Sequence, residues 1–158
     1  MSKTGDVNLR LEELGLKLPQ SPADTPYFTV TRRFGEKLLY ISGCGPTIAG
    51  EPTATGHIPS EVSVEEGRQC ARNCALNLIA AIQEAVGDLN NVKAIVKLLV
   101  YVSSDPLFDK QHLVAHGASG LFIDVFGECV GKASRSAVGV AALPLGFPVE
   151  VEAIVELN

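Results

Sequence analysis

Arg135 stands alone in Lys132-Ala133-Ser134-Arg135-Ser136-Ala137-Val138, a run of small and apolar residues. A lone arginine opening such a strand either sits exposed at its start or offers its donors to a ligand. Its planar fork fits a carboxylate through two parallel hydrogen bonds. In Val149-Glu150-Val151-Glu152-Ala153-Ile154-Val155-Glu156, the two-residue period of a strand separates two faces. Glu150, Glu152, Ile154 and Glu156 share one; Val149, Val151, Ala153 and Val155 share the other. Glutamates suit a wet face, but the isoleucine among them argues that this face is not uniformly wet. Ser42-Gly43-Cys44-Gly45 is a glycine-rich turn leaving a strand. Its glycines either just make the turn or let a ligand approach the backbone. No Lys-Ser/Thr follows, so it is not a phosphate loop.

The histidines are less informative. His57 lies in a polar loop, and His112 and His116 are four apart in a helical stretch. Leu113-Val114-Ala115 between them carries no glutamate to act as base, so zinc hydrolysis is not indicated. A solvated or core-satisfied pair explains them. There is no GxSxG elbow, which leaves acyl transfer without a nucleophile. Cys44, Cys70, Cys74 and Cys129 follow neither a disulfide framework nor a zinc spacing. They read as small buried hydrophobes of a reducing cytoplasm. No metal and no cofactor is expected.

The elements that must carry these residues are legible from periodicity. Val7 to Leu14 is a short amphipathic helix, and three prolines make Leu18 to Pro26 an extended connector. Phe28 to Arg33 and Lys37 to Ser42 form a hairpin about Phe34-Gly35-Glu36. Thr47 to Ser60 reads as loop. Ser63 with Glu66 is a capping box opening a helix that Gly87 stops, with an apolar stripe of Cys70, Cys74, Leu78, Ala81 and Ala85. Val92 to Val102 is a strand, and Pro106 and Phe108 open a second long helix ending near Phe126-Gly127. Ser134 to Leu143 and Val149 to Leu157 are the last strands. The order after the first helix is β-β-α-β-α-β-β, an α+β fold with both long helices on one sheet face. Val138, Val140 and Val151 would leave the other face apolar and in need of cover.

Composition narrows the classes. The 158 residues make one domain, with residues 1–26 as an N-terminal extension. Apolar residues reach 46% and charged residues only 20%, so part of the surface is expected to be covered by further copies of the chain. A net charge of −5 argues against a nucleic-acid partner held by phosphate neutralisation. No stretch approaches the ~20 apolar residues of a membrane span. Met1 to Asp6 carries no apolar leader core, and a cytoplasmic location is expected.

Ala133-Ser134-Arg135-Ser136-Ala137-Val138, then Leu143-Pro144, then Val149-Glu150-Val151-Glu152-Ala153 closely resembles the signature of the Rid/YjgF (L-PSP endoribonuclease-like) family. Ser42-Gly43 with Gly45-Pro46, and the strand ending Val100-Tyr101-Val102, resemble that family's first loop and its middle. The resemblance covers about Tyr27 to Leu157. It implies a chorismate-mutase-like fold, a homotrimer with helices outside, and ligand clefts between subunits. The implied activity is hydrolysis of reactive 2-imino or enamine acids to 2-keto acids and ammonia, without metal or cofactor. The alternative is a non-catalytic trimer binding small carboxylate or carbonyl metabolites. RNA cleavage, which the older family name suggests, fits poorly with the net charge.

Residue by residue, the resemblance places the carboxylate-binding arginine on Arg135 and the strand glutamate on Glu150, as the catalytic pair. Ser42, Gly43, Cys44, Tyr27 and His116 fall on substrate-binding positions. Three positions depart from the pattern: Ala137 replaces a frequent cysteine, Cys44 a glutamine, and His116 an asparagine. If the last two strands form an antiparallel hairpin, Arg135 faces Glu156 and Glu150 faces Ala141. The catalytic pair is then on the order of 20 Å apart in one chain. Either the two share a substrate across a subunit boundary, the reading favoured here, or Glu150 is not the base for the substrate that Arg135 holds.

Overall fold

The computed structural model describes residues 5–158; Met1 to Thr4, part of the leader expectation, lie outside the described residues. Helix α1 (Val7–Glu13) starts at Asp6, whose carboxylate accepts from the Asn8 and Leu9 amides, and it buries Val7 and Leu11. Strands β1 (Thr31–Phe34) and β2 (Leu38–Cys44) form the expected hairpin. The stretch read as loop holds two short strands, β3 (Thr47–Ile48) and β4 (Glu51–Pro52), paired antiparallel. Two residues on each side are too few to leave a pattern in sequence.

Helix α2 (Val64–Val86) has the full capping box, Ser63 bonded to the Glu66 amide and Glu66 returning to the Ser63 amide. Gly87 ends it at a φ of 76°, a conformation that glycine alone adopts without strain. Four residues of the expected stripe, Cys70, Cys74, Leu78 and Ala81, are buried, and Ala85 packs at the core's margin. After β5 (Val92–Ser103), the second long helix, α3 (Gln111–Phe126), starts later than Pro106. Leu107 sits at a φ of 70° and the Phe108 amide turns back onto the Asp105 carbonyl, so the chain is a turn there. Helix α4 (Glu128–Gly131) leads into β6 (Ser134–Val140), and β7 (Val149–Leu157) closes the fold. Among the described residues no helix is long and apolar enough to cross a membrane.

The five main strands run in the order β1-β2-β7-β5-β6. This overturns the hairpin expected of the last two strands. β6 lies parallel to β5, as a long helical crossover through α3 and α4 allows. β7 fills the sheet centre, antiparallel to both β2 and β5. The eight residues between Val140 and Val149 make no tight turn. They step across β5, two strand spacings or about 10 Å.

Alternation along β7 is complete: Val149, Val151, Ala153, Val155 and Leu157 are buried and the residues between them half-buried. The buried set lies under the long helices. Val151 is therefore a core residue and not, as expected, part of the second face. That open face carries Tyr40 of β2, Leu99 and Tyr101 of β5, Ile154 of β7 and Val138 of β6, with Tyr40 and Val138 each about two-fifths exposed.

Candidate functional site

Arg135 pairs in register with Leu98, which in turn pairs with Ala153, and both partners are buried under the helices. Strand alternation thus points Arg135 to the helix side of the sheet edge. There it meets α3. Nη1 donates to Nδ1 of His116 at 3.1 Å and to Oγ of Ser119 at 3.0 Å. Nη2 lies 3.5 Å from the His112 carbonyl oxygen. Burial lowers the Arg135 pKa from its ordinary value, which leaves the group charged at any working pH. Burial, then Arg135, His112 and Arg68, hold His116 below the ordinary histidine range. Arg135 and His116, expected separately as carboxylate holder and substrate-binding residue, are in direct contact. Ser119 was missed, although its place three residues beyond His116 on α3 puts it on the same helical face.

Glu150 belongs to a second cluster. The β2–β7 register shifts between Ile41 and Cys44, so Ser42 and Gly43 bulge out of the ladder. A methyl group on Gly43 would overlap the Glu150 carboxylate, so glycine is what lets the acid lie against this bulge. Burial first, and Glu152 second, raise the Glu150 pKa above the ordinary carboxylate value. Ser42 Oγ donates to the Thr29 carbonyl at 2.8 Å. The Cys44 side chain turns inward. It is 5% exposed, its thiol is pushed up to about 12 by burial and then by Glu150, and it offers a ligand only its backbone.

A 150 Å³ pocket opens beside this bulge, lined by Phe28, Val30, Ser42, Gly43, Cys44 and Asn77 among others. Asn77 is buried on α2, and its Nδ2 donates to the carbonyls of Gly45 and Thr47 and to Thr47 Oγ1. It anchors the loop after the bulge, a role that an asparagine inside an apolar helix gave no local sign of. Tyr27, expected at the site, is 95% exposed and is not among the lining residues; Phe28 takes that place. The Phe28 amide donates to Thr25 Oγ1, and the residue, 54% exposed, lines the pocket.

The two clusters do not meet within one chain. Arg135 is level with Leu98 and Glu150 with Tyr101, three residues along and two strands across, a Cα separation of ~14 Å. They also point to opposite faces. The pair is apart within one chain, but by ~14 Å where the hairpin called for on the order of 20 Å, and the cause is the intervening β5. Among the described residues no group of three or more His, Cys, Asp or Glu is placed to hold a metal ion.

Comparison with known proteins agrees with this architecture. A family model described as "YjgF/chorismate mutase-like, putative endoribonuclease" matches residues 8–157. The chain is 44% identical over 155 residues to Protein TCP17 of Trypanosoma cruzi, covering 98% of this chain and 96% of that one. The crystal structure of Atu1372 from Agrobacterium tumefaciens, a protein of unknown function, is 38% identical with a TM-score of 0.86, over 98% of this chain and 93% of that one. A "putative endoribonuclease" from Shewanella oneidensis is 28% identical with a TM-score of 0.91, over 97% and 100%. With the parallel β5–β6 edge, the central β7 and the arginine and glutamate strands in place, the chain belongs to the YjgF/chorismate mutase-like family.

Proposed function

We propose that this protein hydrolyses reactive 2-imino or enamine acids to 2-keto acids and ammonia, at clefts between the subunits of a homotrimer. The observation that carries the reading is a division of labour on the chain. A guanidinium with no carboxylate partner among the described residues sits on the edge strand, and a half-buried carboxylate whose pKa burial raises sits ~14 Å away on the opposite face. A neighbouring subunit is the means of bringing such halves onto one small substrate. The exposed apolar residues Tyr40 and Val138 of the open face support a covered assembly.

Arg135 holds the substrate carboxylate by charge-assisted hydrogen bonds, about twice as strong as neutral ones. The adjacent iminium carbon is already electrophilic. Glu150 takes a proton from water as its oxygen bonds to that carbon, giving a carbinolamine. The same proton then goes to the nitrogen; the C–N bond breaks as Glu150 takes the hydroxyl proton, the keto acid forms, and the departing ammonia carries that proton away as ammonium. Positioning supplies most of the acceleration, since the site fixes water and carbon together. Burial raises the affinity of Glu150 for a proton, which makes it a better base than an exposed carboxylate.

The test generates 2-iminopropanoate in situ by enzymatic oxidation of alanine and follows pyruvate release with and without the protein. Acceleration that depends on Arg135 supports the deaminase. Pyruvate binding without acceleration would make the protein a carboxylate-binding trimer.

A further inference from the structure

Arg135 reaches acceptors on successive positions of α3: Nδ1 of His116, Oγ of Ser119 and the carbonyl oxygen of His112. A guanidinium only donates. His116 must then present a lone pair at Nδ1 and carry its ring proton on Nε2. Both Nη1 hydrogens are engaged, and one on Nη2 is directed at His112. The donors left over are Nε–H and the outer Nη2–H. They point the same way along one edge of the fork, the side-on arrangement that a carboxylate accepts bidentately. Among the described residues no salt bridge of the chain occupies that edge.

We propose that His116 is a positioning residue: by accepting from Nη1 it fixes the plane of Arg135 so that the Nε/Nη2 edge receives the substrate carboxylate side-on. The inference rests on the reading of Arg135 as the carboxylate holder, and it adds a proton switch to that site. The groups facing the imidazole are Arg135 from β6, His112 from α3 and Arg68 from α2, none of them an acid. Neutral imidazole is the form that fits this surrounding. When His116 gains a second proton, both ring nitrogens become donors, Nη1 loses its acceptor, and two cations face each other across the former hydrogen bond. The fork then turns away from its binding orientation, and carboxylate affinity falls in acid.

The experiment measures pyruvate binding to the full chain between about pH 5 and 8, the range in which histidine changes charge. Wild type, His116→Ala and His116→Asn are compared, and the imidazole ¹⁵N shifts of wild type report the tautomer. The alanine variant is expected to lose roughly tenfold in affinity at neutral pH, the scale of a hydrogen bond to a charged group. Asparagine places Oδ1 where Nδ1 was and does not titrate; it is expected to restore affinity and to remove the acid limb of the profile. An Nδ1-protonated tautomer would overturn the proposal, as would alanine binding like wild type or asparagine behaving like alanine. Wild type failing to bind pyruvate at any pH would overturn the carboxylate role of Arg135 itself. If binding follows the expected pattern but 2-iminopropanoate is not hydrolysed faster, the positioning role stands and the deaminase reading falls.

Discussion

At the scale of single residues, Arg135 and Glu150 have different demands and different sensitivities. Arg135→Ala is expected to reduce keto-acid release on the order of 100-fold or more while the chain stays folded, because orientation and binding go together. Arg135→Lys is expected to fail nearly as badly. An ammonium is a point charge and cannot serve His116, Ser119 and a carboxylate from one plane. Steady-state assays with both variants check this, and turnover unchanged in either would remove Arg135 from the site. Glu150 must be ionised to act as base, and its pKa is raised by burial and by Glu152. Activity is therefore expected to rise with pH through a limb lying above the ordinary carboxylate value of 4.5. Glu150→Gln should lose at least about 100-fold and lose that limb with it. A profile with the limb intact in the glutamine variant would assign the limb to another group.

At the scale of elements, the site depends on how closely α3 approaches α2 and on how the loops are held at the top of the sheet. A methyl group on Gly117 would run into the Arg68 carbonyl of α2, a backbone atom that cannot swing aside. Gly117→Ala is expected to cost about 1–3 kcal/mol in chemical denaturation, the range for overpacking. Since His116 is its neighbour, the contact to Arg135 should loosen too. His57 ties the loop before α2 to the segment after β6. Its Nδ1 lies 3.0 Å from Glu61 Oε2 and its Nε2 2.8 Å from the Ala141 carbonyl. Both partners are acceptors, so the doubly protonated ring satisfies both. The Ala141 carbonyl, then Glu61, raise the His57 pKa from 6.5. A raised folded-state pKa means stability that is fully present below 6.5 and is lost as pH rises through the higher value. The melting temperature of wild type is expected to fall relative to His57→Ala across that interval. Parallel curves for the two proteins would show that this clamp contributes nothing.

At the scale of the whole molecule, the expectation is a trimer whose clefts join Arg135 of one subunit to Glu150 of the next. Sedimentation should give about three times the chain mass of 16.7 kDa. A stable monomer would remove both the assembly and the shared site. A stricter check mixes two inactive variants. Arg135→Ala and Glu150→Gln chains, refolded together in equal amounts, are expected to regain about one quarter of wild-type activity, because one neighbouring pair in four combines an intact arginine with an intact glutamate across a closed ring. If each site were built within one chain, mixing would recover nothing.

Much of this was legible along the chain because it is local. The two-residue alternation of Val149 to Leu157 sorted its residues into two faces correctly, though it did not say which face meets the helices, and the Ser63–Glu66 box with Gly87 bounded α2 to within a residue. Arg135 and the Ser42-Gly43 turn stood out because each is a residue type at odds with its immediate neighbours; Glu150, one of three alternating glutamates, was singled out only by the family resemblance. Pairing is not local. The last two strands read as a hairpin because they are adjacent in sequence, yet β6 joins β5 through a helical crossover and β7 enters between β2 and β5. That choice decides which side chains share a level and a face, so it placed Arg135 under α3 beside Ser119 and set Glu150 at the β2 bulge. It also turned Cys44 inward and put Phe28 at the pocket, leaving Tyr27 outside. Periodicity determines which face a residue takes within its own strand. Strand order, set by nonlocal burial and by the lengths of the connections, determines what that face meets.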